Sequence, residues 1–167
     1  MGKKVAIIGT GQTNHSSSRE DVNETELVYE AASAALKDAE MTIGEIDAVV
    51  LANMELFEGR ALHDMWCGEG AGAFMKHSFK ISTGGTSGTS GAISGYYHAA
   101  SGLFDRVMVV GFEKHSDGNT SAGMALTDPF WDRHIAAAAI GNFALSVSEY
   151  MADRGVTEEQ SAKVAVK

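Results

Sequence analysis

The residues best suited to chemistry lie in a glycine- and hydroxyl-rich segment, Thr-Gly-Gly-Thr-Ser-Gly, at positions 83–88. A strand predicted over Ser78–Ile81 precedes this segment, and apolar residues at helical spacing follow it. A strand that turns sharply into a helix brings free backbone N–H groups and the positive end of the helix dipole together. We therefore predict that an anion, a substrate oxygen or a developing oxyanion is bound by Thr83, Gly84, Gly85, Thr86, Ser87 and Gly88.

Three glycines, Gly88, Gly91 and Gly95, recur near one face of the helix predicted after this turn. Each costs a helix about 1 kcal/mol relative to alanine, so their presence indicates that another backbone approaches closely. The helix is therefore predicted to be central and buried. The alternative, a flexible Gly/Ser linker, is disfavoured because apolar residues continue through the run and a clear strand follows it.

Few side chains are suited to act as nucleophiles or bases. Thr86 and Ser87 are hydroxyls at the turn, but no adjacent base is evident and helix capping is the simpler role. His115 follows the end of a later strand and is the best placed of the scattered histidines. Cys67 lacks a nucleophile signature and is interpreted as a buried thiol. Acidic residues are expected on exposed helix positions, and no close carboxylate pair can be argued.

Metal and nucleotide sites are not predicted. The segment 53–73 carries side chains that can bind metals, but their spacing matches no recognised site: Glu55, Glu58, His63, Asp64 and Cys67. Gly9 and Gly11 follow a predicted strand, yet Asn14 stands where a dinucleotide fingerprint requires its third glycine. We therefore expect no bound cofactor and no metal.

Composition limits the function classes further. The chain has 167 residues, enough for one domain with a sizeable core. Its net charge of −9, without a cluster of Lys or Arg, argues against binding nucleic acid. The longest apolar run is too short to span a bilayer, and the N-terminus lacks the features of a signal peptide. A single cysteine excludes an internal disulfide, so we expect a cytoplasmic protein.

The order of elements predicts an α/β fold with a mostly parallel mixed sheet and helices on both faces. Strands are predicted at Lys4–Gly9, Ile46–Ala52, Ser78–Ile81 and Arg106–Gly111. Helices are predicted from Asn23 or Thr25 to about Ala39, after Gly88, over Ile135–Asp153, and from Thr157 onward. Ser116–Arg133 is predicted as an inserted loop or lid. Because the last helix stops at Lys167 with no strand after it, we expect one domain over 1–167 whose final strand is absent.

Taken together, these segments resemble the N-terminal half of the thiolase superfamily, and most closely its thiolase-like or lipid-transfer-protein-like branch. The resemblance extends over nearly the whole chain, and four segments carry it: Val5–Thr13, Ile81–Gly88, Ala99–Lys114 and Gln160–Lys167. The second is similar to the thiolase segment that reads roughly V-N-x-x-C-[SA]-S-G. In this alignment Gly85 occupies the position of the nucleophilic cysteine, and a glycine cannot form an acyl-enzyme.

The resemblance implies a subunit acting on acyl-CoA thioesters, with coenzyme A thioester as substrate, by C–C bond cleavage or formation of acyl-transfer or retro-aldol type. The alternative is a non-catalytic acyl-CoA or lipid-binding carrier or scaffold. A nucleotide-binding oxidoreductase, which would rest on Gly9 and Gly11 alone, is the least favoured class.

The resemblance also implies partners. The family's His- and Cys-bearing motifs belong to a C-terminal half, so a longer polypeptide or a second chain is expected to supply it. Dimerisation or hetero-oligomerisation is expected beside the third strand, about His77–Ser82. A small zinc-ribbon/OB-fold protein is a further expected partner.

Overall fold

The structure is a computed structural model that describes residues 3–59, 61–119, 130 and 138–167. The chain divides into two compact units, Met1–Thr120 and Ser121–Lys167. Among the described residues, the first unit contains every strand, and those of the second unit form two helices.

The first unit is organised on a parallel three-stranded sheet with the order β2-β1-β3. The strands are β1 (Ala48–Ala52), β2 (His77–Ile81) and β3 (Val107–Gly111). In the register of this sheet, Ala48 lies opposite His77 and Val107. Every residue of β1 is buried, because it is the central strand and both of its faces are covered.

Helices cover both faces of the sheet. They are α1 (Glu24–Asp38), the short α2 (His63–Cys67) and α3 (Ser87–Ser101). Val28 of α1 packs in a hydrophobic core with Leu51 and Met108 on one face of the sheet. On the other face, Gly91 of α3 lies against Ala52. The predicted α/β class, with helices on both faces, is therefore confirmed.

Helix starts follow the predicted capping signals. Asn23 caps α1: its side chain accepts a hydrogen bond from the backbone N–H of Glu26, whose carboxylate accepts one from the Asn23 backbone. In the second unit α4 spans Ala138–Arg154 and α5 spans Glu158–Val166. Thr157 and Gln160 form the same reciprocal cap at the start of α5. These starts agree with the sequence to within a residue, apart from that of α4, whose predicted beginning at Ile135 lies outside the described residues.

The strand predicted at Lys4–Gly9 is wrong, because this segment belongs to no sheet. Its backbone is anchored elsewhere: the Lys3 N–H donates to the carbonyl of Ala100, and the Thr10 N–H donates to Asp38. A cavity of about 510 Å³ lies between residues 5–9 and the outer edge of β3. A strand needs a partner within hydrogen-bonding distance, and that cavity separates the segment from the nearest edge. Ile7 is consequently 87% exposed.

A close approach to the glycines of α3 is found at two of the three, but the neighbouring atoms belong to side chains and not to another backbone as predicted. A Cβ built on Gly91 would lie 2.8 Å from Ala52 Cβ, and one on Gly95 would lie 2.3 Å from Val109 Cγ2. At Gly88 a Cβ would meet open space. The opposite face of α3 exposes Tyr97, so the helix is not buried all round as predicted.

Part of the predicted lid over Ser116–Arg133 lies outside the described residues, namely 120–129 and 131–133. The described part begins within a short 3-10 helix at His115–Asp117. Among the described residues, no helix has the length and apolar character needed to cross a membrane.

The packing of α3 predicts unequal effects of alanine at two glycines. Gly91→Ala should lower the free energy of unfolding by about 1–3 kcal/mol, since its new methyl group meets a Cβ that only a backbone shift can displace. Gly88→Ala has open space at the same helix and should be neutral or stabilising. Chemical denaturation of both variants measures the difference, and equal stabilities would contradict this account of the helix packing.

Candidate functional site

A cavity of about 570 Å³ opens at the carboxyl edge of the sheet. Its walls combine the segment after β3, the turn before α3, and the polar loop at residues 13–19. Open parallel sheets place their ligand sites at this edge, because the loops that follow the strands gather there. Of the predicted site residues, this cavity is lined by Gly84, Gly85, Ser87, Gly88 and His115.

The turn before α3 is held closed by its own hydroxyl groups. Ser87 Oγ accepts a hydrogen bond from the Thr83 N–H (2.9 Å) and donates one to the carbonyl of Gly84 (2.7 Å). Thr86 Oγ1 donates to the carbonyl of Thr83 at 2.8 Å. Gly84 has φ +64°, a conformation that glycine adopts without strain. The six predicted residues therefore form one compact turn.

These bonds favour a structural role for the two hydroxyls over a catalytic one. Ser87 is 5% exposed, and both its proton and an oxygen lone pair are used inside the turn. Thr86 is likewise engaged with Thr83. Hydroxyls committed to backbone groups, without a neighbouring base, serve to shape the turn rather than attack a substrate.

Gly85 leaves empty space where a side chain would be. A Cβ built there would meet nothing within 4 Å, and the residue lines the cavity. The position is therefore accessible from the cavity, directly before the first turn of α3.

The polar loop on the opposite wall supplies a cation that is already paired. The guanidinium of Arg19 donates to Asp21 and Glu30, each at 2.8 Å. This contact keeps the pKa of the Asp21 carboxyl below its usual value. Arg19 is thus held in place by two carboxylates rather than left open to an anionic ligand.

Glu113, the second residue after β3, brings a carboxyl group to the cavity wall. Its Oε1 accepts a hydrogen bond from the backbone N–H of Met54 at 2.5 Å. Partial burial raises the pKa of Glu113 from 4.5 to about 7; the Met54 bond opposes this rise, and the charge of Glu58 adds to it. Glu113 and Glu58 therefore form a carboxylate pair that could not be argued from the sequence.

Glu113 is the outermost member of a group of ionisable residues, and the other members are buried behind it. We call this group the buried acid chain: Glu113, Glu58, His63 and Glu24. Glu58 Oε1 accepts a hydrogen bond from the backbone N–H of Lys114 at 2.6 Å, and Glu58 Oε2 lies 3.7 Å from His63 Nε2. On the other side of the imidazole, His63 Nδ1 is 2.8 Å from Glu24 Oε2. His63 is fully buried and Glu24 is 3% exposed.

Three buried carboxylate oxygens receive no hydrogen bond within the described part of the chain. They are Glu24 Oε1, Glu58 Oε2 and Glu113 Oε2. Glu24 Oε1 lies 2.7 Å and Oε2 2.8 Å from His63 Nδ1. Because an imidazole nitrogen carries at most one proton, it can serve as donor to only one of these two oxygens. Buried acceptors without donors are costly, so protons are expected to be held within the buried acid chain.

The other side chains at 53–73 that can bind metals, for which no metal site was predicted, are only partly brought together. Cys67 is buried as predicted, and its sulfur lies within 4.8 Å of ligand-type atoms of Glu24 and His63. Glu55 pairs instead with Lys80. The direct bond between Glu24 and His63 is the arrangement by which a carboxylate orients an imidazole.

Sequence reasoning missed Glu113, Glu58 and Glu24 as members of one site. A usable signal existed for the first two, because they follow β3 and β1, which are adjacent parallel strands whose ends meet at one edge. No comparable signal pointed to Glu24. Its position in the first turn of α1 is equally typical of an acid that complements the helix dipole.

Comparison with known proteins gives the family. Residues 5–167 match the family described as "Thiolase, N-terminal domain", and the chain belongs to it. The chain is 29% identical over 168 residues to an acetyl-CoA acetyltransferase of Methanothermobacter thermautotrophicus, covering 98% of this chain and 44% of the relative. It is 30% identical over 162 residues to an acetyl-CoA acetyltransferase of Methanocaldococcus jannaschii, covering 95% and 41%.

A solved structure supports the fold. The 3-oxoacyl-[acyl-carrier-protein] synthase III of Aquifex aeolicus is similar with a TM-score of 0.52 and 22% identity over 60% of this chain and 32% of that one. The resemblance to the N-terminal half of the thiolase superfamily is confirmed by the family match and the two curated relatives, and the solved structure adds agreement in fold alone. The chain spans less than half the length of the curated relatives it matches.

The raised pKa of Glu113 predicts how stability depends on pH. A carboxyl whose pKa is higher in the folded state binds more protons when folded, so its contribution to stability is present below pH 4.5 and is lost as pH rises to about 7. Glu113→Gln should remove this part of the dependence. Urea denaturation between pH 4 and 8 measures it, with the exposed Glu69→Gln as the matched control. An unchanged pH dependence in Glu113→Gln would contradict the environment described for this residue.

Proposed function

We propose that this chain is the substrate-binding N-terminal half of a thiolase-like enzyme that acts on acyl-CoA thioesters. Coenzyme A thioester is the substrate, and the reaction is C–C bond cleavage or formation, of thiolase or retro-aldol type. The observation that carries the proposal is the cavity in which the Gly84–Gly88 turn meets the carboxyl edge of the sheet. Both curated relatives are named acetyl-CoA acetyltransferase, and this name supports the substrate class.

The turn suits a thioester because it combines open space with an electrostatic field that favours negative charge. Gly85 and Gly88 carry no side chain toward the cavity, so an acyl group has room to approach the backbone. The first turn of α3 contributes the positive end of a helix dipole. Negative charge that develops on the thioester oxygen during C–C bond cleavage or formation would be stabilised there.

The glycine at position 85 determines which chemistry this half can support. Without a thiol no acyl-enzyme forms at this position, so the thioester reacts without transfer to the protein here. In a retro-aldol step a base takes the β-hydroxyl proton, the Cα–Cβ bond breaks, and its electron pair enters the enolate of the thioester. A proton then returns to Cα. The family's thiolysis would instead need a nucleophile from outside this turn.

Completion of the unit by further residues, in the same polypeptide or in a partner chain, is part of the proposal. The cavity of about 510 Å³ beside β3 has apolar walls, including residues 5–9 of the N-terminal segment. An additional strand placed there would pair with β3 and cover that segment. The greater length of the curated relatives supports this view.

Association with other subunits follows from the same surfaces. The strand β2 lies at an edge of the three-stranded sheet and is mostly exposed, with Phe79 39% accessible. We propose this edge, about His77–Ser82, as the interface of a homodimer or hetero-oligomer. A zinc-ribbon/OB-fold partner is proposed on family resemblance alone, and a cytoplasmic location is proposed from the single cysteine.

A second candidate function is an acyl-CoA or lipid carrier without catalysis. The observation in its favour is that Gly85 stands at the cysteine position while Ser87 and Thr86 are occupied within the turn. A carrier would bind acyl-CoA in the same cavity and release it unchanged.

Filling the cavity at Gly85 tests both candidates. In the natural protein, with any partner that completes it, Gly85→Trp should lower turnover of acetoacetyl-CoA or 3-hydroxybutyryl-CoA by about 100-fold or more, because the indole occupies the substrate's approach. The steady-state rate of CoA-ester consumption is the measurement.

Gly44→Trp is the matched control, since Gly44 is exposed, far along the chain from the turn, and has no close contact at its Cβ position. Full activity in Gly85→Trp would refute the site assignment. Binding of both esters by the wild type without product would favour the carrier.

A further inference from the structure

The buried acid chain is the least explained feature of the cavity wall. It places two carboxyl groups and one imidazole in the buried interior directly behind the carboxyl group of Glu113. Burying several ionisable groups together is costly unless protons are shared among them. Such an arrangement is found where a site has to hold and move a proton.

Two carboxylate oxygens that lack a hydrogen-bond donor indicate where one proton is held. Glu58 Oε2 and Glu113 Oε2 are both shielded from solvent and have no hydrogen-bond donor among the described residues. The two carboxyl groups are close enough to interact through a side-chain hydrogen bond. Their other oxygens accept the backbone N–H groups of Lys114 and Met54. A single proton between the two Oε2 atoms would satisfy both.

We propose that Glu113 is the acid–base residue of this cavity and that Glu58, His63 and Glu24 form its internal proton store. This inference rests on the proposed function, because it assigns a group to the proton transfers of that reaction. Glu113 is the catalytic residue, since it lines the cavity; the other three are positioning residues, since they act through it.

The transfer balances without a further reactant. Glu113 Oε1 accepts the proton that leaves the substrate, while the proton on Glu113 Oε2 passes to Glu58 Oε2. Glu113 thus remains neutral, Glu58 is neutralised, and the negative charge appears on the substrate as its enolate. Return of a proton to Cα reverses both transfers. His63 lies within this store, with Nε2 3.7 Å from Glu58 Oε2 and Nδ1 2.8 Å from Glu24 Oε2.

Charged groups on the neighbouring elements change the proton affinity of Glu113. Glu58, in the loop after β1, raises the proton affinity of Glu113, and His63 of α2 lowers it. Lys80 of β2 also interacts with the charge of Glu113. The Met54 backbone N–H favours the ionised form. Removing the charge of Glu58 should therefore make Glu113 lose its proton at lower pH.

Infrared spectroscopy of the natural protein tests the store without substrate. The C=O stretch of a protonated carboxyl should disappear as pH rises through about 7, should be missing from Glu113→Gln, and should be lost at lower pH in Glu58→Gln. Glu69→Gln, an exposed acid, is the matched control and should behave as the wild type. If the wild type has no such band, or Glu113→Gln keeps it, the proposed proton store is overturned.

Kinetics with acetoacetyl-CoA and 3-hydroxybutyryl-CoA test the catalytic role. Glu113→Gln should lower kcat by about 100-fold or more with a small change in KM, and should abolish the limb of the pH–rate profile near pH 7. In Glu58→Gln, which keeps the catalytic group, that limb should move to lower pH. This shift is a readout that a merely structural role would not produce.

The outcomes separate the two proposals. Wild-type activity that Glu113→Gln retains, with its pH limb intact, overturns the role of Glu113 and leaves the proposed function standing. Absence of wild-type turnover on both esters, with the infrared band present, overturns the proposed function and with it the catalytic role, while supporting the proton store. If Glu113→Gln does not fold, the Glu58→Gln shifts in band and rate decide alone.

Discussion

The contact on which the site depends is the packing of the glycine face of α3 against the sheet. At Gly91 and Gly95 the helix approaches β1 and β3 more closely than any side chain would allow. This contact fixes the helix axis relative to the strands, so the N-terminus of α3 stands at the carboxyl edge of the sheet. The Gly84–Gly88 turn and Glu113 then line a common cavity because both are attached to elements whose separation is set by that packing.

Local signals accounted for most elements of the fold. The capping residues Asn23 and Thr157 and the apolar run of β1 are each determined by neighbours in sequence, and the structure has them as predicted. The segment Lys4–Gly9 shows where local signals fail. Its residues are as apolar as those of a buried strand, but a strand exists only where a partner edge is within reach, and here a cavity intervenes.

The turn of the candidate site was predictable and the acid chain was not, for related reasons. Residues 83–88 are contiguous, so their types and order reveal the turn directly. Glu24, Glu58, His63 and Glu113 come from four separate segments, and their contacts depend on how strands and helices assemble. Only the placement of Glu58 and Glu113 after adjacent parallel strands hinted that they meet. The sequence gives no measure of burial, and burial is what changes the acid strength of these groups.

The energetics of the acid chain bear on whether the cavity is catalytic. Apolar residues of similar volume would stabilise this interior at least as well as three carboxyl groups and an imidazole. A carrier needs only a shaped apolar cavity, and buried acids behind its wall would lower stability without improving binding. An enzyme that makes or breaks C–C bonds next to a thioester must store a proton close to the reacting carbon during each turnover. The position of Glu113, on the wall of the cavity that also contains Gly85, meets that need. The cost of burying the chain is therefore more readily explained by proton transfer than by ligand carriage alone.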